Sequence, residues 1–353
     1  MATQRDIAEK LKLSPGTVSR ALRGQPGLAP ETRFRVLEAA AEIDYKVEDP
    51  GEAEAAGPPR AGGAADKTTL LGMLVYAQPE SLGSNGTFVR MLRGASEAAR
   101  QLGVGLHVDY VQPEEAARIH ERAHQPLLLR RGELAGLLMI GLFPAASVAE
   151  LNKRVPCVRM HLRDFDTPLD CIAQDDHAAT DALVAHLVAR GHERIGFFCT
   201  RGDLRFTYGR MRFAAYLESL VHHGLKLDPE LWVRGAEADD PASVAEAMGR
   251  AEALSRSGVT AWVGVHDIWA YRLMRHLQDA GLRVPRDVAL CGFDDLETPR
   301  GLVPMTSVAW PLEDMGATAA RRLFRRIHQP ALATSQSLYT GTLAVKASTG
   351  AKR

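Results

Sequence analysis

Residues 48–65 divide the chain. They hold no aliphatic side chain larger than alanine, prolines aside, and residues 48–54 carry four acids and no base. Such a stretch has nothing with which to build a core, so it reads as a flexible, partly extended linker. What precedes and follows it must fold on its own apolar residues. A length of 353 residues agrees, being too long for one compact core. The expected division is a headpiece over residues 1–46, a linker over 47–67 and a larger domain over 68–347.

The headpiece is organised around Ser14-Pro15-Gly16-Thr17-Val18-Ser19-Arg20-Ala21-Leu22. Ser14 is a strong N-cap, and Pro15 falls where a helix needs no N–H. Val18, Ala21 and Leu22 recur at three- and four-residue spacing and form one apolar stripe. The other face carries Thr17, Ser19, Arg20 and Arg23, which suit phosphates and base edges. Upstream, Thr3 caps a helix with Ile7, Ala8 and Leu11 inside, joined through Lys12-Leu13. Downstream, Pro30-Glu31 opens a third helix with Val36, Leu37, Ala40 and Ala41 inward. Three short helices with a tight first turn describe a helix-turn-helix. Residues 1–35 hold seven basic side chains against three acidic ones, an excess of four positive charges on a neutral chain. Phosphate contacts by such residues drive affinity through counterion release. A small three-helix bundle that binds protein is the alternative that pattern alone leaves open.

Sequence likeness separates the two. Asp6-Ile7-Ala8, the Ser14–Leu22 run, Gly24 and Glu31-Thr32-Arg33-Phe34-Arg35-Val36-Leu37-Glu38-Ala39-Ala40 closely resemble the DNA-binding headpiece of the lactose repressor family. That resemblance implies a recognition helix in the major groove. Pro15, Gly16, Thr17 and Arg20 would lie at its base-facing start. Thr3, Ser14, Ser19 and Arg23 complete the expected DNA-binding set, with Ser19 and Arg23 on phosphate.

From Leu70 short apolar runs alternate with helical patterns. The runs are Leu70–Tyr76, Val104–Tyr110, Gly136–Leu142, Cys157–Met160, Arg194–Cys199, Ala261–Val265 and Val288–Phe293. Helices are expected over Phe88–Leu102, Val148–Lys153, Ala178–Arg190, Arg210–His223, Pro241–Arg256, Ile268–Ala280 and Leu312–Ile327. This repetition predicts an α/β architecture with parallel sheets, too many units for one open sheet, so two sheets or a closed barrel. Gly191-His192-Glu193-Arg194-Ile195, Val284-Pro285-Arg286-Asp287-Val288, Gly292-Phe293-Asp294-Asp295 and Pro304-Met305-Thr306-Ser307-Val308 resemble the regulatory domain of the same family, itself similar to periplasmic sugar-binding proteins. The implied form is two doubly wound parallel-sheet lobes joined by three crossings, with a ligand in the cleft. Lobe 1 is expected at about 68–165 and 296–327, lobe 2 at about 166–295 and 328–347.

Ligands of parallel α/β sheets gather at the carboxyl ends of strands. Asp294 and Asp295 follow one strand directly, and the resemblance gives Asp294 the role of accepting ligand hydroxyls. Arg212 matches a family arginine that forks onto ligand oxygens, although Ala215 stands where the family has glycine; Arg210, half a helical turn away, is the competing contact. His266 replaces the usual asparagine before Asp267. Phe88 is either a stacking face for a sugar or ordinary core. These four, Phe88, Arg212, His266 and Asp294, form the expected ligand set.

A metal site is imaginable at His161, Asp164 and Asp166 or at Asp175, Asp176 and His177, but neither has the ligand spacing of a known site. No nucleophile elbow, phosphate loop or Cys/His pattern is present, so neither catalysis nor a cofactor is expected. The four cysteines lie far apart without a C-x-x-C pair, which suits buried reduced thiols and a cytoplasmic protein. No run approaches a membrane span. Together these features read as a repressor-type regulator of carbohydrate uptake or catabolism genes, a homodimer on a palindromic operator answering a sugar-like effector. The rivals are a solute-binding protein without regulatory role, and an operator binder with an unliganded, degenerate cleft.

The linker is where the sequence departs most from that family. Family members usually continue after a tyrosine matching Tyr45 with a short helix whose leucine wedges the operator's central base step. Here no Leu, Ile or Met occurs between Tyr45 and Leu70. The acids of residues 48–54 repel phosphate, and a kink needs an inserted side chain to offset unstacking. The composition therefore predicts an operator that is bent little and tolerates one or two base pairs inserted at its centre. Binding to spacer-length variants, with gel phasing of the bend, checks this; a sharp spacing optimum with a strong central kink would refute it.

Overall fold

The computed structural model describes residues 3–22, 32, 36, 39, 69–76, 86–161, 163, 169–238 and 240–350. The linker expected at 47–67 lies outside them, as do Arg23, Asp164 and Asp166. The headpiece and the larger unit are separate bodies and are described separately.

In the headpiece, α1 (Gln4–Leu11) and α2 (Pro15–Leu22) are joined by three residues, Lys12, Leu13 and Ser14. Thr3 and Asp6 close a capping box on α1: Asp6 N–H donates to Thr3 Oγ1 at 3.3 Å, and Thr3 N–H to Asp6 Oδ2 at 2.7 Å. The chain leaves α1 through Lys12 in the left-handed region (φ 54°), and this sharp turn sets α2 across α1. Ile7, Ala8, Val18 and Ala21 bury together with the helical residues Val36 and Ala39. Leu37, Ala40 and Ala41 of the expected inner face lie outside the described residues.

The larger unit holds two six-stranded sheets. In chain order its elements are β1 (Leu70–Tyr76), α3 (Gly86–Gln101), β2 (Gly105–Val111), β3 (Gly136–Ile140), α4 (Ala145–Asn152), β4 (Cys157–His161), β5 (Asp170–Gln174), α5 (Asp176–Val188), β6 (Ile195–Thr200), α6 (Thr207–His222), β7 (Trp232–Ala236), α7 (Pro241–Arg256), β8 (Ala261–Gly264), α8 (Asp267–Asp279), β9 (Ala289–Phe293), β10 (Thr306–Ala309), α9 (Leu312–His328), β11 (Gln336–Tyr339) and β12 (Thr342–Ala344). The first sheet runs β11-β5-β4-β3-β1-β2 and the second β12-β10-β9-β8-β6-β7. Every pairing is parallel except β10 with β12. Central strands such as β3, β6 and β9 are buried at every position, as helices on both faces require.

The expected exchange points between lobes all fall too early. β5 lies in the first sheet, although the second lobe was expected from residue 166. β10 belongs to the second sheet and β11 to the first, each opposite to the expected division at 296–327 and 328–347. The chain crosses between sheets directly after Gln174, Ala309 and Tyr339. Strands of four or five residues with no long apolar run gave the sequence pattern little to mark them.

At the second crossing, α9 follows a strand of the second sheet yet lies over the first, with Leu323 and Ile327 above Gly136. It crosses α3 at two glycines. A Cβ on Gly94 would stand 1.8 Å from the Glu313 carbonyl oxygen, and one on Gly316 would stand 2.0 Å from that of Met91. Only backbone hydrogen fits there, and beside the crossing Arg90 Nε and Nη2 grip Glu313 at 2.8–3.1 Å. Gly249, on α7, faces open space instead. Gly316→Ala should therefore destabilise by ~1–3 kcal/mol through overpacking. Gly249→Ala should be neutral or stabilising by up to ~1 kcal/mol. Urea titration of the two variants checks the contrast.

Candidate functional site

On the headpiece, Ser14 Oγ accepts the Thr17 N–H at 3.1 Å and lies 2.8 Å from the Thr17 hydroxyl. The cap leaves Ser14, Pro15, Gly16 and Arg20 exposed, with Thr17 and Ser19 half-buried beside them. Arg20 reaches back only weakly, Nε donating to the Gly16 carbonyl at 3.4 Å. The start of α2 thus offers a positive, small-residue surface. Thr3, also expected there, holds its hydroxyl in the α1 cap, donating to Asp6 Oδ2 at 2.9 Å.

The second site lies at the junction of the two lobes, built on Arg212. Its side chain is 2% exposed. Nε donates to Asp176 Oδ1 at 2.7 Å, Nη1 to the Val265 carbonyl at 2.7 Å, and Nη2 to Gln174 Oε1 at 3.4 Å. The guanidinium lies 4.1 Å over the Phe293 ring and 5.3 Å from that of Tyr208. Burial works against its charge, but the carboxylates of Asp176 and Asp294 outweigh it and raise its pKa further. Arg210 points the other way, onto the carbonyls of Leu204 and Arg205.

The remaining partners come from strand ends of both sheets. Gln174 ends β5 and His161 ends β4 in the first sheet; His266 follows β8 and Asp294 follows β9 in the second. His161, Asp294 and Asp295 all take left-handed backbone, at φ 76°, 99° and 50°. Side-chain-bearing residues pay about 1–3 kcal/mol for such conformations, which cluster at binding sites. Three buried polar atoms here have no partner among the described residues: His161 Nδ1, Gln174 Nε2 and His266 Nδ1. Burial holds His161 below its usual pKa, against the pull of Asp294. No hydrogen bond reaches the Asp294 carboxylate among the described residues. Asp295 turns away and pairs with Lys346 at 2.5 Å. Phe88, in the first turn of α3, is half-buried against the main core, and no described contact brings it to this junction.

Sequence reasoning passed over Asp203 and Asp267. Asp203 Oδ1 accepts from the Tyr208 hydroxyl at 2.7 Å and lies 3.3 Å from His266 Nε2. Its Oδ2 accepts from the Thr200 N–H and hydroxyl at 2.8 and 2.7 Å. It thereby orients His266, leaving Nδ1 as the free ring atom. Asp267 accepts from the Ser307 hydroxyl and the Leu296 N–H, pinning the loop after β9 that presents Asp294. Burial first, then Asp294, pushes its pKa well above the usual range. The acids and histidine at 175–177 separate in role: Asp175 caps α5 at the Ala178 N–H, Asp176 holds Arg212, and His177 meets Glu218 at 2.7 Å. No group of three or more metal-ligating side chains occurs among the described residues. All four cysteines are buried thiols outside any disulfide, and burial pushes the pKa values of Cys157, Cys199 and Cys291 upward.

Fold and sites together define a DNA-binding regulator with a periplasmic-binding-protein-like module. The comparisons agree. Residues 3–47 match the family of bacterial regulatory proteins, lacI family, and residues 184–349 match the periplasmic binding protein-like domain. The transcriptional regulator GalR of Escherichia coli is 27% identical over 326 residues, covering 91% of this chain and 88% of that one. Two solved structures share the fold, each at 22% identity. The CelR–cellobiose complex superposes with a TM-score of 0.67 over 99% of this chain and 100% of its own. The lac repressor dimer bound to operator does so at 0.65 over 99% of both. Residues 3–47 thus carry a lacI-family DNA-binding domain, and the relatives that match most of the chain are transcriptional regulators rather than enzymes. No helix among the described residues is long and apolar enough to cross a membrane.

Asp203 makes the junction acid-sensitive. Burial raises its carboxyl pKa, but His266 and Thr200 outweigh that and bring it from the usual 3.8 to about 2. A carboxyl depressed on folding contributes stability above its unfolded pKa and loses it as pH falls through the folded value. That contribution, ~2 kcal/mol at neutral pH, should vanish between about pH 4 and pH 2. Asp203→Asn should lower stability by that amount at pH 7 and flatten the acid limb; identical acid limbs by denaturant titration would show the network contributes nothing.

Proposed function

We propose that the chain is a homodimeric repressor that binds a palindromic operator through the start of α2, and whose operator affinity changes when a sugar or sugar-like metabolite enters the interlobe cleft. The observation that carries the effector half is the trio of orphaned polar atoms at the strand ends around Arg212. Buried groups of this kind cost ~1–3 kcal/mol each while unpaired, so a ligand that satisfies them binds and draws the lobes together. The same trio weighs against an unliganded, degenerate cleft. The named relatives add that GalR is a transcriptional regulator and that the solved neighbours hold cellobiose or sit as a dimer on operator. Genes of carbohydrate uptake or catabolism, and a place in the cytoplasm, fit this reading.

A groove of about 410 Å³ supports the second copy. It is lined by Ile268, Tyr271, Leu296 and Leu302, with Arg272, Arg275 and Glu297 on it, and Ile268 is 46% exposed. A two-fold axis would set each copy's arginines against the other's glutamate, as a self-complementary interface needs.

Thr17 and Arg20 are the proposed base readers, with Ser14, Pro15, Gly16 and Ser19 shaping the approach. Coupling between cleft and operator is expected at ~1–3 kcal/mol. Operator titrations test the whole scheme. Arg20→Ala should lose ~1–3 kcal/mol on its specific site and much less on random DNA. Asp294→Asn should bind operator normally but answer a sugar panel weakly. Ile268→Glu should sediment as monomer and bind operator poorly. Equal loss on all DNA would make Arg20 a phosphate contact, and an unchanged sugar response in Asp294→Asn would move the pocket elsewhere.

A further inference from the structure

The charges at the lobe junction restrict what the cleft accepts. Each buried basic side chain there already has a partner or has its charge disfavoured by burial. Arg212 faces Asp176 at 2.7 Å. His266 meets Asp203 at 3.3 Å. Burial disfavours the charged form of His161. Arg163, on the segment after β4, is drawn away to Gln336 at the amino end of β11, with 2.9 Å from Nε to Oε1. Arg205, on the loop after β6, stands exposed to solvent.

The acids are less well matched. The Asp294 carboxylate has no hydrogen-bond partner among the described residues, and its charge bears on His161, Asp176, Tyr208, Arg212 and Asp267. A phosphate or carboxylate entering here would meet the Asp294 carboxylate and, among the described residues, no unengaged buried cation, and like charges at close quarters oppose binding strongly. What the site does offer is an unpaired amide donor on Gln174, two unpaired imidazole nitrogens and one strong acceptor. Hydroxyl groups, which both donate and accept, satisfy such a mixture without bringing charge.

We infer that the effector is an uncharged polyhydroxyl compound, and that the cleft rejects the same compound once it carries a phosphate or an ionised carboxylate. This rests on the sugar-effector reading and narrows it. It gives Asp294 a second task, because the carboxylate that accepts hydroxyls also repels anions. It also places the regulator after any transport step that leaves its sugar unmodified, and before the kinase step that would phosphorylate it.

Thermal unfolding of the full chain with matched pairs at constant ionic strength tests the inference. Suitable pairs are ribose with ribose 5-phosphate, galactose with galactose 1-phosphate, glucose with glucose 6-phosphate, and cellobiose with cellobionate. At least one neutral member should raise Tm in a concentration-dependent way, and its charged partner should need on the order of tenfold or more concentration for the same rise. Asp294→Asn should weaken the neutral sugar and narrow that gap; should the variant not fold, the wild-type pairs decide alone. A charged member that binds as tightly as its neutral parent overturns the inference while leaving a sugar cleft in place. If no member of any pair raises Tm, the sugar reading itself fails and the inference with it.

Discussion

The buried ion pair of Arg212 and Asp176 is the constraint around which the larger unit is arranged. Asp176 opens α5 immediately after the first crossing between sheets, and Gln174, on the near side of that crossing, takes another arm of the same guanidinium. A third arm holds the carbonyl of Val265, at the end of β8. One side chain thus ties the last residue of a first-sheet strand to the start of a second-lobe helix and to a second-sheet strand end. Removing either charge would strand the other in a dry interior, a loss of about 3–5 kcal/mol in comparable sites. This polar tie adds to an apolar core that runs through strands of both sheets.

Much of this was written in the sequence. Ser14 and Pro15 announced α2, and α7 runs from Pro241 to Arg256 as its pattern predicts. The choice between Arg210 and Arg212 was legible too: Arg212 falls in step with the buried Gly209, Ala215, Tyr216 and Ser219 of α6, whereas Arg210 lies off that stripe. What was missed is of two kinds. Edge strands β11 and β12 are short and half-exposed, so they lack the apolar run that marks β3 or β9. Asp203 and Gln174 owe their roles to partners dozens of residues away, Asp203 to His266 and Gln174 to Arg212. Neither local propensity nor spacing encodes such long-range hydrogen bonds.

Backbone strain and electrostatics converge on the loop after β9. Asp294 and Asp295 are both held left-handed, a conformation their side chains do not favour. The hydrogen bonds from Ser307 and Leu296 to Asp267, together with the Lys346–Asp295 pair, stabilise that loop from below. The result is one aspartate facing the junction and its neighbour facing away, from a sequence in which the two are chemically identical.

The order of strands also says when this protein becomes competent. β11 finishes the first sheet and β12 the second, each as an edge strand, and both lie within residues 336–344. A nascent chain that has released everything up to α9 therefore presents two unfinished sheets and two open edges, although the headpiece has long since left the ribosome. Open edges of this kind invite pairing with the wrong chain. The segment from residue 330 onward is accordingly the step that makes both lobes whole at once, so a premature stop there would leave the DNA-binding headpiece without either half of its sensor.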